Sequence, residues 1–218
     1  GWVKNNFIIH LGLFPNVFKV TEKIVELSNS LEDFNSRTLA INDVLEILFR
    51  KGIIKHWAGE QFSVKKTPSS SPLFNMERAA ISLFGLLAFG VHLNGYVGQG
   101  NKMEMWIAER SHKNPIDPGK FDQIVAGGQP ANLTIRENLQ KECNEEASID
   151  VNMATNAISV GVISYSMETT MGLRRDVLYN FDLEIPGSFK PKNTDNEVHA
   201  FHLWPIKKVM SVIHETKD

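Results

Sequence analysis

The segment TIRENLQKECNEEASI, residues 134–149, constrains the fold of this chain more than any other. Its apolar residues recur every four positions, the spacing of one helix face: Ile135, Leu139, Cys143 and Ala147. Thr134 and Glu137 have the spacing of a capping box, which starts a helix by satisfying its first backbone N–H groups. We therefore expect a capped helix with one face in a core, and Cys143 as a buried core residue rather than a nucleophile.

Strand-like segments lie on both sides of this helix. AFGVHLNGYV and KMEMWIAER precede it, and ISVGVISYSM, RRDVLYNFDLEI and VHAFHLW follow it. MERAAISLFG has a helix-like pattern, and PIKKVMSVIHET predicts a last helix with Pro205 in its first turn. Strands among helices predict an α/β fold, an α/β/α sandwich in which a mixed sheet lies between helical layers.

The N-terminal region has a pattern of its own. INDVLEILFRKG predicts a helix that Asn42 caps and Gly52 ends, and QFSV predicts a short strand. The low-complexity stretch TPSSSP then separates two regions. We expect a small α+β accessory domain at residues 1–72 and the main domain at residues 73–218.

The charge balance and the cysteine count limit the partners and the compartment. The chain has 23 Lys and Arg against 25 Asp and Glu, a formal charge of −2, so we expect no nucleic-acid partner. No apolar run reaches the roughly 18 residues that span a bilayer, so we expect no membrane partner. Cys143 is the single cysteine, which excludes an internal disulfide and favours the cytoplasm. For the oligomeric state, the sequence leaves both a monomer and a homodimer open.

The helix also carries a crowded acidic face. Glu142, Glu145 and Glu146 stand at i, i+3 and i+4, where like charges repel. One interpretation is a solvated face on which Lys141 pairs with Glu145. The other is a metal site, because carboxylate oxygens are the ligands that Mg²⁺ prefers.

A glycine pair precedes this helix and favours the metal interpretation. Gly127 and Gly128 allow a tight backbone turn, so that a carbonyl or amide approaches a metal or phosphate closely. A glycine turn, a helix start and an acidic helix face together form a platform for a metal and a diphosphate. We therefore include the backbone of Gly127 among the metal-binding groups.

This segment resembles the signature of the Nudix hydrolases. The matching positions are the basic-acidic pair, the apolar place, the two later glutamates and the last apolar place: Lys141, Glu142, Cys143, Glu145, Glu146 and Ile149. The segment departs from the signature at Ser148, where the family has glycine, and at Leu133 or Thr134, where the first glutamate belongs. The resemblance implies a diphosphate hydrolase that uses Mg²⁺, with Mn²⁺ as the alternative ion.

The chain is also similar to the Nudix proteins related to thiamine pyrophosphokinase, without the kinase domain. GVHLNGYV, MWIAERS, DPGKFDQIVAGG, KECNEEAS and DVLYNFDLEIP match in order, as does NTDNEVHAFHLW, where Asn196 replaces a glycine. This likeness implies hydrolysis of thiamin diphosphate, or of its oxidised or damaged forms, to the monophosphate. Its biological role would be metabolite repair, with a small-molecule diphosphate as the partner.

The resemblance assigns roles to the acidic residues. Glu142 and Glu146 are the expected metal ligands, and Glu145 is a third ligand or the base that takes the proton of the attacking water. Catalytic roles are therefore expected of Glu142 and Glu145. Glu197 is the candidate for a further ligand or base outside the helix, against the interpretation of an ordinary turn charge.

Further residues are candidates for contacts with the phosphate or the rest of the substrate. The cations Arg110, Lys113 and Lys141 and the side chains of His92, Asn94 and Trp57 form this set. Each also has a simpler interpretation, a solvated cation for the first group and a structural or core residue for the second. Two other functions stay open: hydrolysis of a nucleotide-linked diphosphate such as ADP-ribose, and a non-catalytic, diphosphate-binding regulatory module.

Overall fold

The computed structural model describes residues 1–113, 117–194 and 196–216. The chain forms two compact units, each made of three segments. Unit 1 consists of Gly1–Phe89, Gln129–Asn132 and Ser164–Val177. Unit 2 consists of Gly90–Gly128, Leu133–Ile163 and Leu178–Asp218.

Unit 1 begins with short strands and two helices. Its elements up to residue 84 are α1 (Asn5–Leu11), β1 (Phe18–Val20), β2 (Val25–Leu27), α2 (Phe34–Arg50), β3 (Gln61–Val64), β4 (Phe74–Glu77) and the 3-10 helix Arg78–Phe84. Strands β1 and β2 pair antiparallel, as do β3 and β4. Leu11, Leu45 and Met76 are fully buried in one apolar cluster. The predicted strand QFSV is confirmed as β3.

The start of α2 corrects the predicted cap. The helix begins at Phe34, where the Asp33 carboxylate accepts the backbone N–H groups of Asn35 and Ser36. Asn42 lies inside the helix, so its predicted capping role is wrong. Its amide instead donates to the Asn75 carbonyl and accepts the N–H of Glu77, which ties α2 to β4. The predicted end is confirmed: Lys51 caps the helix, and Gly52 follows with φ +70°.

The segment MERAAISLFG is only partly helical. Met76 and Glu77 belong to β4, and the 3-10 helix starts after them. The reason is Glu77, whose buried carboxylate accepts the backbone N–H groups of Ala58, Gly59 and Ala79. The predicted division after residue 72 falls in the connection between β3 and β4, both of which belong to unit 1.

The largest sheet has seven strands. The remaining elements are β5 (Leu87–Val97), β6 (Glu104–Arg110), β7 (Phe121–Gln123), β8 (Val125–Gly128), α3 (Ile135–Ala147), α4 (Val151–Ala154), β9 (Ile158–Glu168), β10 (Leu173–Glu184), β11 (Val198–Pro205) and α5 (Ile206–Glu215), with a short 3-10 turn at Gly100–Lys102. The strand order is β11-β6-β5-β10-β9, with β7 beside β6 and β8 beside β5. The predicted combination of a mixed sheet with helices is confirmed, as are the five strands expected on both sides of the central helix.

The apolar face of α3 packs into the core of unit 2. Leu139, Cys143 and Ala147 are fully buried, together with Val91 of β5 and Val125 of β8. Burying a side chain of the size of leucine contributes roughly 1.5–3 kcal/mol, so this stripe fixes which face of the helix points outward. The periodicity prediction is confirmed. In the described part of the chain, no helix has both the length and the apolarity to cross a bilayer.

Candidate active site

The first turn of α3 is held by two sets of hydrogen bonds. Thr134 Oγ1 accepts the N–H of Glu137 at 3.2 Å, and Glu137 Oε2 accepts the N–H of Thr134 at 2.8 Å, which confirms the capping box. Asn138 is fully buried, and its Nδ2 donates to the Gly128 carbonyl at 2.8 Å. This bond ties the helix to β8, and no pattern in the sequence indicated Asn138.

The glycine pair lies in a strand, which corrects the predicted turn. Gly127 and Gly128 end β8, where they pair with Val91 and Gly90 of β5. Glycine is needed here because of close packing: a Cβ on Gly127 would lie 2.3 Å from Cδ of Glu142. Because Gly127 has no side chain, β8 leaves room for the Glu142 carboxylate at this point.

The three glutamates of α3 differ in burial. Glu142 and Glu146 are only 9% and 5% exposed, whereas Glu145 is partly exposed. Glu146 Oε2 accepts the backbone N–H of Ala126 at 2.8 Å. Two of the three carboxylates are thus held against β8, and the interpretation of a fully solvated acidic face does not describe them.

Lys141 neutralises part of this acidic face. Its Nζ lies 3.1 Å from Glu142 Oε1 and 2.7 Å from Glu145 Oε2. Burial lowers the pKa of Lys141, but its bonds to Glu145 and Glu142 outweigh burial, so the pKa lies above its usual value. The predicted pairing of Lys141 with Glu145 is confirmed.

Burial has the largest effect on the pKa of the Glu142 carboxyl. Burial raises the pKa of its carboxyl; Lys141 opposes the increase, and the charges of Glu145 and Glu197 add to it. A buried carboxylate with a raised pKa is a group whose charged form gains from a nearby cation. A further cation beside Glu142 would therefore lower the pKa of this carboxyl and favour its charged form.

A pocket opens beside Glu146. Its lining residues come from three strands, the helix and the start of β11: Ala108, Arg110, Asp122, Gln123, Ala126, Glu146, Glu197 and Val198. Of the residues predicted from the sequence, the pocket brings together Arg110, Glu146 and Glu197. All of them belong to unit 2.

The segment before β11 carries Glu197 to this pocket. The N–H and hydroxyl of Thr194 both donate to the Glu145 carbonyl, at 3.0 and 2.7 Å. The Lys192 N–H donates to the Ala147 carbonyl, and the Ser111 N–H donates to the Glu197 carbonyl. The bonds of Thr194 and Lys192 hold this segment against the end of α3. Glu197, which is remote from α3 in sequence, therefore lies near the acidic face.

One departure from the signature, Ser148, and one from the wider resemblance, Asn196, have a structural basis. Ser148 ends α3 in the left-handed conformation at φ +55°, which explains why a glycine is usual there. Its hydroxyl donates to the Lys192 carbonyl at 2.8 Å, a bond that glycine cannot make. Asn196 also has a positive φ, +66°, and asparagine is among the side chains that adopt this conformation most readily.

Asp122 and Gln123 line the pocket but were not among the residues predicted from the sequence. Asp122 Oδ2 accepts from Arg110 Nη1 at 3.0 Å, and Gln123 bonds His92 and, at 2.6 Å, Asn94. The pairing of β7 with β6 brings Asp122 to this place, opposite Ala108, and this pairing leaves no periodic pattern in the sequence. His92 and Asn94 do not line this pocket themselves, but both contact Gln123, which does.

Two of the predicted contact residues lie elsewhere. Lys113 is exposed in the turn after β6, where its backbone N–H donates to Ser111. Trp57 packs on Phe49 in unit 1, with 5.2 Å between the ring centroids. Neither side chain lines the pocket beside Glu146.

Cys143 behaves as a core residue. The side chain is fully buried, and burial, with smaller contributions from Glu146 and Glu142, raises its pKa to about 12. A thiol with this pKa is protonated at neutral pH and is a poor nucleophile. The prediction of a structural cysteine is confirmed.

Comparisons with known proteins cover nearly the whole chain. Residues 1–88 match a family described as a domain of unknown function (DUF4743). Over 99% of its length the chain is 39% identical to two Arabidopsis thaliana proteins, "Nudix hydrolase 24, chloroplastic" and "Nudix hydrolase 20, chloroplastic". It spans 60% of the length of each of these relatives.

A solved structure shows the same fold. The crystal structure of DR0079 from Deinococcus radiodurans matches with a TM-score of 0.54 and 17% identity, over 71% of this chain and 89% of that one. At this identity the likeness concerns the fold alone. Over nearly its whole length the chain is therefore similar in sequence to two proteins named as Nudix hydrolases.

Proposed function

We propose that this chain is a divalent-cation-dependent hydrolase of small-molecule diphosphates. The observation that carries the proposal is the pair of buried carboxylates, Glu142 and Glu146, on a helix face that borders a pocket with Arg110 and Glu197. Buried carboxylates repel each other unless a cation or a proton offsets their charge. The names of the Arabidopsis relatives support hydrolysis as the use of this arrangement.

The donor set suits a hard cation. Glu142 and Glu146 would hold the ion, with Glu145 or Glu197 and the Gly127 carbonyl as further ligands. All of these donors are oxygens, which favours Mg²⁺, with Mn²⁺ as the alternative. When bound, such an ion acts as a Lewis acid on the phosphate and lowers the pKa of a water molecule.

The chain's own residues then have separate tasks. Glu145 takes the proton of the attacking water or serves as a third ligand, and Glu197 is the alternative base. Lys141 keeps Glu145 and Glu142 oriented through its two short contacts. Arg110, which Asp122 holds at 3.0 Å, is suited to contact phosphate oxygens because its guanidinium offers several donors in one plane.

The substrate that we propose is thiamin diphosphate or one of its oxidised or damaged forms. Water adds to one phosphorus atom, the bridging P–O bond breaks, and the products are the monophosphate and inorganic phosphate. Support for the thiamin moiety comes from the resemblance across the chain. Around the pocket, Gln123 with His92 and Asn94 offers polar groups for the organic part.

The other proposals from the sequence concern the chain as a whole. The accessory domain at residues 1–72, the cytoplasmic location and the role in metabolite repair rest on the sequence pattern and the resemblance. The match of residues 1–88 to one family supports a distinct N-terminal region.

A panel of diphosphates tests the function. Phosphate release with Mg²⁺ is measured for wild type, Glu142→Gln, Glu146→Gln and the control Glu46→Gln, an exposed helical glutamate in unit 1. We expect the first two variants to lose about 10²- to 10⁴-fold in rate, as for the loss of an essential catalytic group, and the control to keep the wild-type rate. Glutamine retains an oxygen that accepts the Ala126 N–H, so Glu146→Gln preserves this contact.

The outcomes separate the three functions. Release from thiamin compounds supports the proposal, whereas release from ADP-ribose alone favours a nucleotide-linked diphosphate. Binding of a diphosphate without any release identifies a regulatory module. Equal rates for wild type and both active-site variants would refute the placement of the metal site.

A further inference from the structure

A second cluster of metal-ligating side chains lies outside the acidic face of α3. Glu109 ends β6 with Arg110, His112 follows in the next turn, and His199 lies at the start of β11. One ligand atom from each of Glu109, His112 and His199 lies within 4.8 Å of the other two. His112 Nε2 is 3.7 Å from Glu109 Oε1, and the ring centroids of His112 and His199 are 4.9 Å apart.

Irregular backbone brings these residues together. Strand β11 pairs antiparallel with β6, and the register shifts between Val198 and Ala200, so that His199 is an extra residue in a β-bulge. Bulges re-aim side chains, and this one places His199 beside the end of β6. His112 in turn rests on Gly119, where a Cβ would lie 2.8 Å from its Nδ1.

The cluster is separate from the pocket beside Glu146. Glu109 and Arg110 are successive residues of one strand, so their side chains point to opposite faces of the sheet. Arg110 lines the pocket, whereas Glu109 contacts His112 and His202 on the other face. The cluster and the acidic face therefore have no side chain in common.

The donor set differs in chemistry from the acidic face. Two imidazoles and one carboxylate are typical ligands of zinc and similar transition ions, and they leave a position for water. Ligand atoms about 2.1 Å from a tetrahedral ion lie about 3.4 Å apart, close to the 3.7 Å observed between His112 and Glu109. The ligand atoms all lie within 4.8 Å of one another, so binding an ion needs shifts of up to about 1.4 Å.

A further histidine supports the carboxylate. His202 Nε2 lies 3.0 Å from Glu109 Oε2, the oxygen that does not face His112. The hydrogen bond with His202 and the nearby histidines keep the pKa of Glu109 below its usual value. Such an outer partner orients a metal-binding carboxylate.

We propose that Glu109, His112 and His199 bind a divalent transition ion of the zinc class, at a site distinct from the diphosphate site. The ion would link the turn after β6 to the start of β11. The same two segments are already joined by the bond from the Ser111 N–H to the Glu197 carbonyl, at 2.8 Å. Metal at this cluster would thus stabilise the segment that carries Glu197.

Zinc binding to the metal-stripped protein tests this proposal. The titration uses a chromophoric chelator as competitor and excess Mg²⁺, which occupies oxygen-only sites. We expect His112→Ala and His199→Ala to weaken zinc binding at least tenfold, and His202→Asn to weaken it about tenfold, as for an outer partner. His56→Ala, an exposed histidine in unit 1, is the matched control and should bind as wild type does.

Ring-proton NMR of the histidines identifies the ligands without any measurement of activity. Zinc should shift the signals of His112 and His199 in wild type and also in Glu142→Gln, because the two sites are independent. Equal zinc affinity of wild type and both His→Ala variants would overturn the proposal, as would the absence of zinc binding to wild type. Loss of zinc binding in Glu142→Gln with retention in His199→Ala would assign the ion to the acidic face and also overturn it.

Discussion

The acidic face of α3 and the histidine cluster at the end of β6 are built in opposite ways. Glu142 and Glu146 are buried, close together on one helix and held by the capping box, by Asn138 and by the Ala126 N–H. The histidine cluster is assembled from a turn and a β-bulge, and His112 and His199 are exposed. The first arrangement maintains a costly charge and suits a hard ion. The second offers nitrogen donors, which suit a softer ion.

Among substitutions outside the carboxylates themselves, the largest expected effect comes from filling the space at Gly127. A Cβ there would lie 2.3 Å from Cδ and 2.4 Å from Cγ of Glu142, so Gly127→Ala displaces the carboxylate. We expect at least about a hundredfold loss of diphosphate hydrolysis, since small misplacement of a catalytic group has this cost. Overpacking should also lower the free energy of unfolding by about 1–3 kcal/mol.

The control for this substitution is Gly12→Ala, where the nearest atom would be 3.7 Å away. It should keep both activity and stability. Zinc binding by Gly127→Ala should remain at the wild-type level, because the histidine cluster lies elsewhere. A fully active Gly127→Ala variant would show that the position of Glu142 is not set by β8.

The second prediction concerns pH and the burial of Glu142. Burial raises the pKa of its carboxyl, an effect that Lys141 reduces and that Glu145 and Glu197 increase. The folded protein therefore binds this proton more tightly than the unfolded chain does. The associated stability is complete below the unfolded pKa and is lost as pH rises through the folded pKa.

In metal-free protein, Glu142→Gln should remove this loss of stability with rising pH. We expect the free energy of unfolding of the variant to fall less than that of wild type between the ordinary carboxyl pKa of 4.5 and neutral pH. Urea denaturation in the presence of a chelator at several pH values provides the measurement. Parallel pH profiles for the two proteins would mean that the buried charge has no cost in the folded state.

The sequence predicted the acidic face because its signals are local. All of these signals lie in one helix: the capping box of Thr134 and Glu137, the apolar stripe and the glutamates. Within a helix, the spacing of residues in the sequence determines which face each side chain occupies. Gly127 was misplaced in a turn because glycine suits both a turn and a closely packed strand, and only the neighbour Glu142 distinguishes them.

Pairing between strands explains what the sequence could not show. Asp122 meets Arg110 because β7 lies beside β6, and His199 meets Glu109 because β11 has a bulge at that residue. Neither contact leaves a periodic pattern in the sequence. Asn42 was assigned to a helix start for a related reason: its true partners, Asn75 and Glu77, are on a distant strand.

The smallest expected effect concerns the segment that carries Glu197. Ser148→Ala removes the hydroxyl bond to Lys192 and keeps the left-handed backbone, so it should lower the free energy of unfolding by about 1 kcal/mol. Ser148→Gly loses the same bond but relieves a backbone cost of roughly 1–2 kcal/mol, and should be close to wild type. Thermal unfolding of both variants compares them, and a glycine variant less stable than the alanine one would contradict this account of Ser148.

Binding of Mn²⁺ tests the central claim, that the buried carboxylates of α3 hold the catalytic cation, independently of any substrate. The bound and free ion are distinguished by electron paramagnetic resonance, with Zn²⁺ present to occupy the histidine cluster. We predict saturable binding by wild type and Glu46→Gln, and at least tenfold weaker binding by Glu142→Gln and Glu146→Gln. Undiminished Mn²⁺ affinity in both active-site variants would contradict the claim.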